Sequence, residues 1–381
     1  MQLRRNRYLS ALAEAAYAAM LGLAYPLAWL YAVTRPAPKL AKSVLHVSYM
    51  VHVPWHMTRI LRKYGWQADY LAVGTSAHWD RCDFQKRRTP PLLSPWYELW
   101  LFWRVVSRYE VVHFHFMVTM TRSGWEVPLL KRMGRRVVAH FRGCEARNRE
   151  ENMRLHPTMN ICQVCDYDAT VCTSPVSVRR RRLAERWADA TLVTTPDMLD
   201  FMPAATVSSF FAPADIEPSC SEPWDGSRPL KLVHVTNHPG IEGTEQIRRA
   251  VEAVRRRGFQ IEFLHLRDVS HAEVMRALHE ADLAIGKMKM GFYANSQIES
   301  MACGVPTITW IRPEFMSDAL RESGFIVSHL DDLEATLVDY LSDPGALRRK
   351  RELARRSILA LHDNAAIAGI LLRAYVGCKG D

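Results

Sequence analysis

Low-complexity tracts and internal repeats are missing from this 381-residue chain apart from the basic run Arg179–Arg182, which excludes a solenoid or a largely disordered polypeptide. Zinc-finger, RRM and helix-turn-helix signatures are missing too, so the ordinary nucleic-acid readers are excluded despite a net charge of +10, and no nucleic-acid partner is expected. No cleavable signal peptide is recognisable, and eight cysteines then point to a reducing compartment, where close pairs serve metal or redox chemistry more than disulfides. Acidic residues are scarce in one half only. Residues 1–220 carry 29 Lys and Arg against 18 Asp and Glu, whereas 221–381 carry 21 against 22, a balance that suits an anionic membrane or an anionic substrate for the first half.

Charge is almost absent from one further stretch. Tyr8–Thr34 holds a single ionised group, Glu14, behind Arg4, Arg5 and Arg7, and is long enough to cross a bilayer. Nine alanines and Pro26 weaken it as a span, and Arg35, Lys39 and Lys42 balance the basic residues before it, so no orientation follows. An interfacial or monotopic helix, a true span and a helix packed on the protein's own surface all remain open. The expected location is the cytoplasmic face of a membrane, peripheral or monotopic.

What is present is an alternation. β-rich runs at Ser43–Met50, Tyr109–Phe116 and Arg135–Phe141 alternate with helical stretches, including one near Trp96–Ser107 whose Trp96, Trp100 and Trp103 are expected in the core. A Pro-, Ser- and Ala-rich stretch between Met202 and Pro229 breaks the pattern, and a second alternation starts at Leu230. The expected organisation is an apolar helix and linker (1–42), a Rossmann-like domain with a Cys-rich insertion (43–210), a linker (211–228), a second Rossmann-like domain (229–345) and C-terminal helices (346–381).

The second unit contains "NHPGIEGT" after its first strand and "GFYANSQIESMACGVPTIT" near its end. Its Ile298-Glu299-Ser300-Met301-Ala302-Cys303-Gly304-Val305-Pro306 resembles the hydrophobic-E-A-M-A-x-G-x-P box of the retaining family 4 glycosyltransferases. The resemblance implies the GT-B fold: α/β, two Rossmann-like domains facing across a cleft, here with an N-terminal apolar helix. It implies a nucleotide-sugar donor bound mainly on the second domain, around Asn237, His238, Gly240, Gly243, Thr244, Gly291, Tyr293, Ser296, Ile298 and Glu299, with Glu299 accepting the ribose hydroxyls. A carboxylate in the first turn of a helix suits that role, because the N-terminal dipole end keeps it ionised. Gly240 and Gly243 let the backbone approach a phosphate, and a plain strand-to-helix turn is the alternative.

Two departures qualify the resemblance. The family has a second Glu eight positions before the first, where this chain has Gly291, and it has basic residues in the glycine loop, where this chain has Glu242. Lys287 and Lys289, at the end of a strand, are expected to neutralise the departing diphosphate in their stead; the alternative is two solvated loop charges. With lysines there, no catalytic metal is required. On the acceptor side, His52 and His113 follow or line strands, and His115 and Arg142 sit at strand ends as catalytic candidates, each with a structural role as the alternative.

Cys144, Cys162, Cys165 and Cys172 fall within 29 residues, two of them as Cys-x-x-Cys. A structural Zn²⁺ is one reading; an iron–sulfur cluster, a disulfide and unlinked thiols are the others. The function expected is transfer of a sugar from a nucleotide-sugar to an envelope polysaccharide or a lipid-linked acceptor, with retention implied by the resemblance. The alternative is a degenerate nucleotide-sugar-binding subunit.

Overall fold

The computed structural model describes residues 2–34, 41–76, 79–167, 171–208, 211 and 213–377, with side chains from Ala11 onward. The expected linker after Thr34, with Arg35 and Lys39, lies outside the described residues, as do the side chains of Arg4, Arg5 and Arg7. In chain order, α1 (Gln2–Thr34) precedes β1 (Ser43–Tyr49), α2 (His52–Lys63), β2 (Gln67–Val73), β3 (Phe84–Lys86), α3 (Ser94–Arg104), β4 (Val111–His115), α4 (Glu126–Arg132), β5 (Arg136–Phe141), α5 (Arg149–Leu155), α6 (Pro175–Trp187), β6 (Ala190–Val193) and β7 (Thr206–Val207). The second series runs β8 (Leu230–Val235), α7 (Pro239–Glu242), α8 (Thr244–Arg256), β9 (Ile261–Leu266), α9 (His271–Glu280), β10 (Leu283–Ile285), α10 (Asn295–Ala302), β11 (Thr307–Thr309), α11 (Asp318–Arg321), β12 (Phe325–Val327), α12 (Leu333–Ser342), α13 (Pro344–Leu361) and α14 (Asn364–Val376).

Every strand pairing is parallel. The first sheet has the order β3-β2-β1-β4-β5-β6-β7 and the second β12-β11-β10-β8-β9. Each order reverses once, between β1 and β4 and between β8 and β10, and connections that leave such neighbouring strands in opposite directions open a crevice at the carboxyl edge. In the second unit the β8–α7 turn and the β10–α10 loop flank that crevice. Helix α8 is held there by Ile247, Val251 and Val254, one apolar stripe at helical spacing buried against Leu232 and Ile261.

Ala24, Ala28 and Ala32 of α1, four residues apart, are buried in the core of the first unit against α3 and α4, and Tyr17 donates to the buried Glu98 of α3 at 2.9 Å. Helix α1 thus packs on the protein's own surface. Its opposite face leaves Leu23, Leu27, Leu30 and Val33 exposed. Because α1 covers the side of α3 that carries Leu99 and Phe102, Trp96 and Trp100 point outward, a correction to their expected place in the core.

The C-terminal helices part company. Helix α13 packs on the second unit, whereas α14 crosses back to lie on α2, β5 and β6 of the first. Its Tyr375 hydroxyl meets His113 Nδ1 at 2.7 Å, and Arg136 Nε donates to Ala374 O at 2.6 Å.

Candidate active site between the two sheets

A cleft of about 450 Å³ lies where the carboxyl edges of the sheets approach, with His52, Arg142, Gly143, Cys144 and Arg147 on one wall. Asn237, His238, Glu242, His271, Lys287, Ser296 and Glu299 line the other. The two walls touch at His52 Nε2 and Asn295 Nδ2, 3.3 Å apart.

Glu299 is the fifth residue of α10, not in its first turn as expected, so its surroundings supply no free helix N–H groups. What aims the carboxylate is His271, the first residue of α9, whose Nε2 lies 3.0 Å from Oε1. A Ser270–Glu273 capping box fixes the start of α9 and hence that imidazole. The hydrogen bond to Glu299 raises the His271 pKa, against the smaller effect of burial. Only a fold that brings α9 beside α10 reveals this partner, 28 residues away in sequence.

The glycine turn is occupied by protein. Asp166, from the Cys-rich segment of the first unit, accepts from the N–H groups of Gly240 and Ile241 at 3.1 and 2.9 Å, while Tyr167 OH and His238 Nε2 lie 2.9 Å apart. A Cβ at residue 240 would sit 2.6 Å from Val164 Cγ1, so glycine is required there by this segment. Lys287 forms an ion pair with the buried Glu242, and Lys289 points behind the turn to Gly240 O at 3.3 Å. The expected cation pair is therefore divided: Lys287 reaches the cleft already paired with a carboxylate, and Lys289 does not line it.

Gly291 has φ +79°, and a Cβ there would stand 2.5 Å from Arg312 Cγ. Arg312 in turn binds Asp200 at 2.7 Å, so the position held by Glu in the resembling family is closed here by an arginine. Asn237 accepts from the Asp268 N–H at 3.0 Å, and the Ser296 hydroxyl donates to Gln297 Oε1 at 3.2 Å. Tyr293 and Ile298 belong to the core, the former with its hydroxyl 3.1 Å from His362 Nε2, and Thr244 Oγ1 meets His234 Nε2 at 2.8 Å, away from the cleft. Gly243 closes α7 with φ +87°.

His113 and His115 are fully buried and do not reach the cleft, contrary to expectation, because their side of β4 is covered by Arg142 and by α14. They form a layer with His46 and His140. His115 Nε2 lies 2.8 Å from His46 Nδ1, and His113 Nε2 lies 3.2 Å from His140 Nδ1. Burial first, then the Arg142 charge, lowers the His46 pKa to about 3; burial also holds the other three well below the usual histidine value. Arg142 donates through Nε to His115 Nδ1 at 3.0 Å, and its Nη1 is buried without a partner among the described residues. Burial lowers its pKa to about 9, which leaves it charged at neutral pH against the neutral imidazole layer. Burial lowers His52 to about 3. Arg147, which the sequence did not single out, is locked to Asp197 by a bond of 2.8 Å.

Cys144, Cys162, Cys165 and Cys172 are free thiols and electrostatic neighbours: Cys144 is raised to about 11, by burial first, with smaller contributions from Cys162 and Cys165. Cys162 Sγ accepts from Asn152 Nδ2 at 3.2 Å, and Cys165 Sγ faces Tyr167 O at 3.7 Å. Among the described residues the one group whose ligand atoms lie within 4.8 Å of one another is His46, His113 and His115; the four sulfurs are gathered more loosely.

No protein-family model matches the chain, and no curated protein matches it in sequence. Solved structures do resemble it. Sucrose-phosphate synthase from Thermosynechococcus elongatus superposes with a TM-score of 0.59 at 12% identity, covering 88% of this chain and 98% of that one. HepE of Anabaena, in complex with UDP-glucose, gives 0.56 at 12% over 87% and 98%. The catalytic domain of starch synthase IV from Arabidopsis thaliana, bound to ADP and acarbose, gives 0.55 at 10% over 88% and 98%. At these identities the likeness carries the fold: two parallel-sheet units facing across a cleft, the GT-B architecture.

Proposed function

We propose that this chain is a glycosyltransferase of the GT-B type that takes a sugar from a nucleotide-sugar donor, with retention, and passes it to an envelope polysaccharide or a lipid-linked acceptor at the cytoplasmic face of a membrane. The observation that carries this reading is the Glu299–His271 pair at the mouth of the second crevice, with Arg142, whose Nη1 is buried without a partner among the described residues, lining the opposite wall of the cleft. A carboxylate aimed by an imidazole suits a ribose diol. A desolvated guanidinium suits the charge that develops on a departing diphosphate, where preorganised donors contribute most. The solved relatives in complex with UDP-glucose and with ADP support a nucleotide donor. The exposed apolar face of α1 supports contact with a bilayer surface.

One observation favours a second reading, a binding subunit without turnover: the glycine-turn amides, Lys287 and the space at Gly291 are each taken by protein groups, Asp166, Glu242 and Arg312. Titration of the purified full chain with a panel of nucleotide-sugars, followed by donor hydrolysis or transfer, separates the two. Binding that depends on Glu299 with release of nucleoside diphosphate supports the enzyme; Glu299-dependent binding without release supports the subunit. No binding by any nucleotide-sugar overturns both.

A further inference from the structure

A cavity of about 1070 Å³ lies in the first unit and is lined by Lys86, Arg87, Arg88, Arg122, Arg179 and Arg180 against one carboxylate, Glu98. Glu98 is fully engaged: it accepts from Lys86 Nζ at 2.7 Å, from Tyr17 at 2.9 Å and from the Arg122 N–H at 3.1 Å. Arg122 is paired with Glu14 of α1. The other four arginines have no carboxylate within 4.0 Å among the described residues. Four like charges around one cavity repel one another unless an anion enters, and the planar fork of arginine matches a phosphate better than a point charge does.

Resting on the transferase reading above, we infer that this cavity holds a phosphate or diphosphate group of the acceptor. Its position suits that task. Tyr49, at the end of β1, lines the cavity and orients Arg180, whose Nη2 donates to its hydroxyl at 2.8 Å. Three residues further on, His52 lines the cleft, and three residues reach at most about 10 Å. A phosphate bound by the arginines thus leaves an attached sugar within reach of the cleft. On the other side, Leu92, Leu93 and Trp96, all exposed, flank the cavity residue Ser94, and the lining residue Arg122 pairs with Glu14 of α1. A cationic cavity with an apolar rim matches a phosphate that carries a lipid tail.

Calorimetric titration of the full chain with inorganic pyrophosphate and with farnesyl diphosphate tests this, with UDP titrated in parallel to read the cleft. Both pyrophosphates are expected to bind, and Arg179→Ala/Arg180→Ala to weaken both at least about tenfold, the loss of one charge-assisted hydrogen bond or more. Lys at both positions should lose less. The same charge removed at the exposed Arg348 and Arg349 should change nothing. Should the first variant fail to fold, Arg87→Ala/Arg88→Ala reads the same cavity from an exposed loop. Farnesyl diphosphate preferred about tenfold over pyrophosphate, the gain of roughly two buried methylenes, assigns the phosphate to a lipid carrier. Equal affinity assigns it to a soluble sugar phosphate. Full-strength binding in both arginine variants, or no pyrophosphate binding by folded protein, overturns the inference. UDP bound without pyrophosphate overturns only the acceptor assignment; pyrophosphate bound with no nucleoside diphosphate bound overturns the transferase reading itself.

Discussion

The Asp166 carboxylate accepts the backbone N–H groups of Gly240 and Ile241, so one unit of the protein places a negative group on the amides that the other unit would offer a donor phosphate. The Cys-rich segment that carries it also brings Tyr167 against His238. A phosphate bound at this turn would compete with the carboxylate for the same two donors.

Asp166→Ala is therefore expected to raise the affinity for UDP or ADP by about tenfold, since the bound state no longer displaces a pair of charge-assisted hydrogen bonds. Calorimetry on the variant reads it. An affinity that stays the same or falls would mean that the segment belongs to the bound state.

Glu299→Gln should weaken nucleoside diphosphate binding by roughly 1.5–3 kcal/mol, one charged hydrogen bond's worth, without unfolding the protein. The same change releases His271. Its pKa, raised by Glu299, should fall towards 6.5 in the variant, visible in the imidazole proton shifts. In the unaltered protein the raised value means that the pair's contribution to stability is fully present below the unfolded histidine pKa and fades as pH rises through the folded one. A His271 titration indifferent to residue 299 would falsify the pairing.

Lys287→Ala leaves Glu242 buried without its partner and should cost about 3 kcal/mol of stability by denaturant unfolding. Lys287→Met with Glu242→Gln should recover most of it. Equal losses in the single and double variants would show that the ion pair is not what the site depends on.

For the cysteines, whose sulfurs are gathered only loosely here, about one zinc per chain in protein purified without chelator, lost in Cys162→Ser/Cys165→Ser, would support a site in which the four thiolates draw together around one tetrahedral ion. The raised thiol pKa values mean that protons must be released as metal enters, so zinc uptake should strengthen with pH. Metal-free protein of undiminished stability removes the zinc site.

The alternation of strands and helices was legible because period-2 and period-3.6 apolar patterns are local, and the box around Glu299 was legible as a contiguous motif. What sequence reasoning missed is long-range. Asp166 meets residues 240 and 241 from another unit, Arg312 fills the space over Gly291 from the far side of β11, and His271 reaches Glu299 from a separate helix. Trp96 and Trp100 were misread because helical spacing gives a face but not its direction; the packing of α1 decided that. The capping box at Ser270 was in principle a signal for where His271 sits, though not for its partner.

Helix α14, returning to the first unit, gives the chain a second bridge between its halves besides the stretch around 211–228. Two bridges hold the units together at two places, as the pins of a hinge do. The second pin passes through His362, 3.1 Å from the Tyr293 hydroxyl, on the same loop that leads into α10. A swing that opened the cleft would thus turn at the base of the wall that carries Glu299, and loss of the last helix would remove the pin along with the Tyr375–His113 contact that seats it.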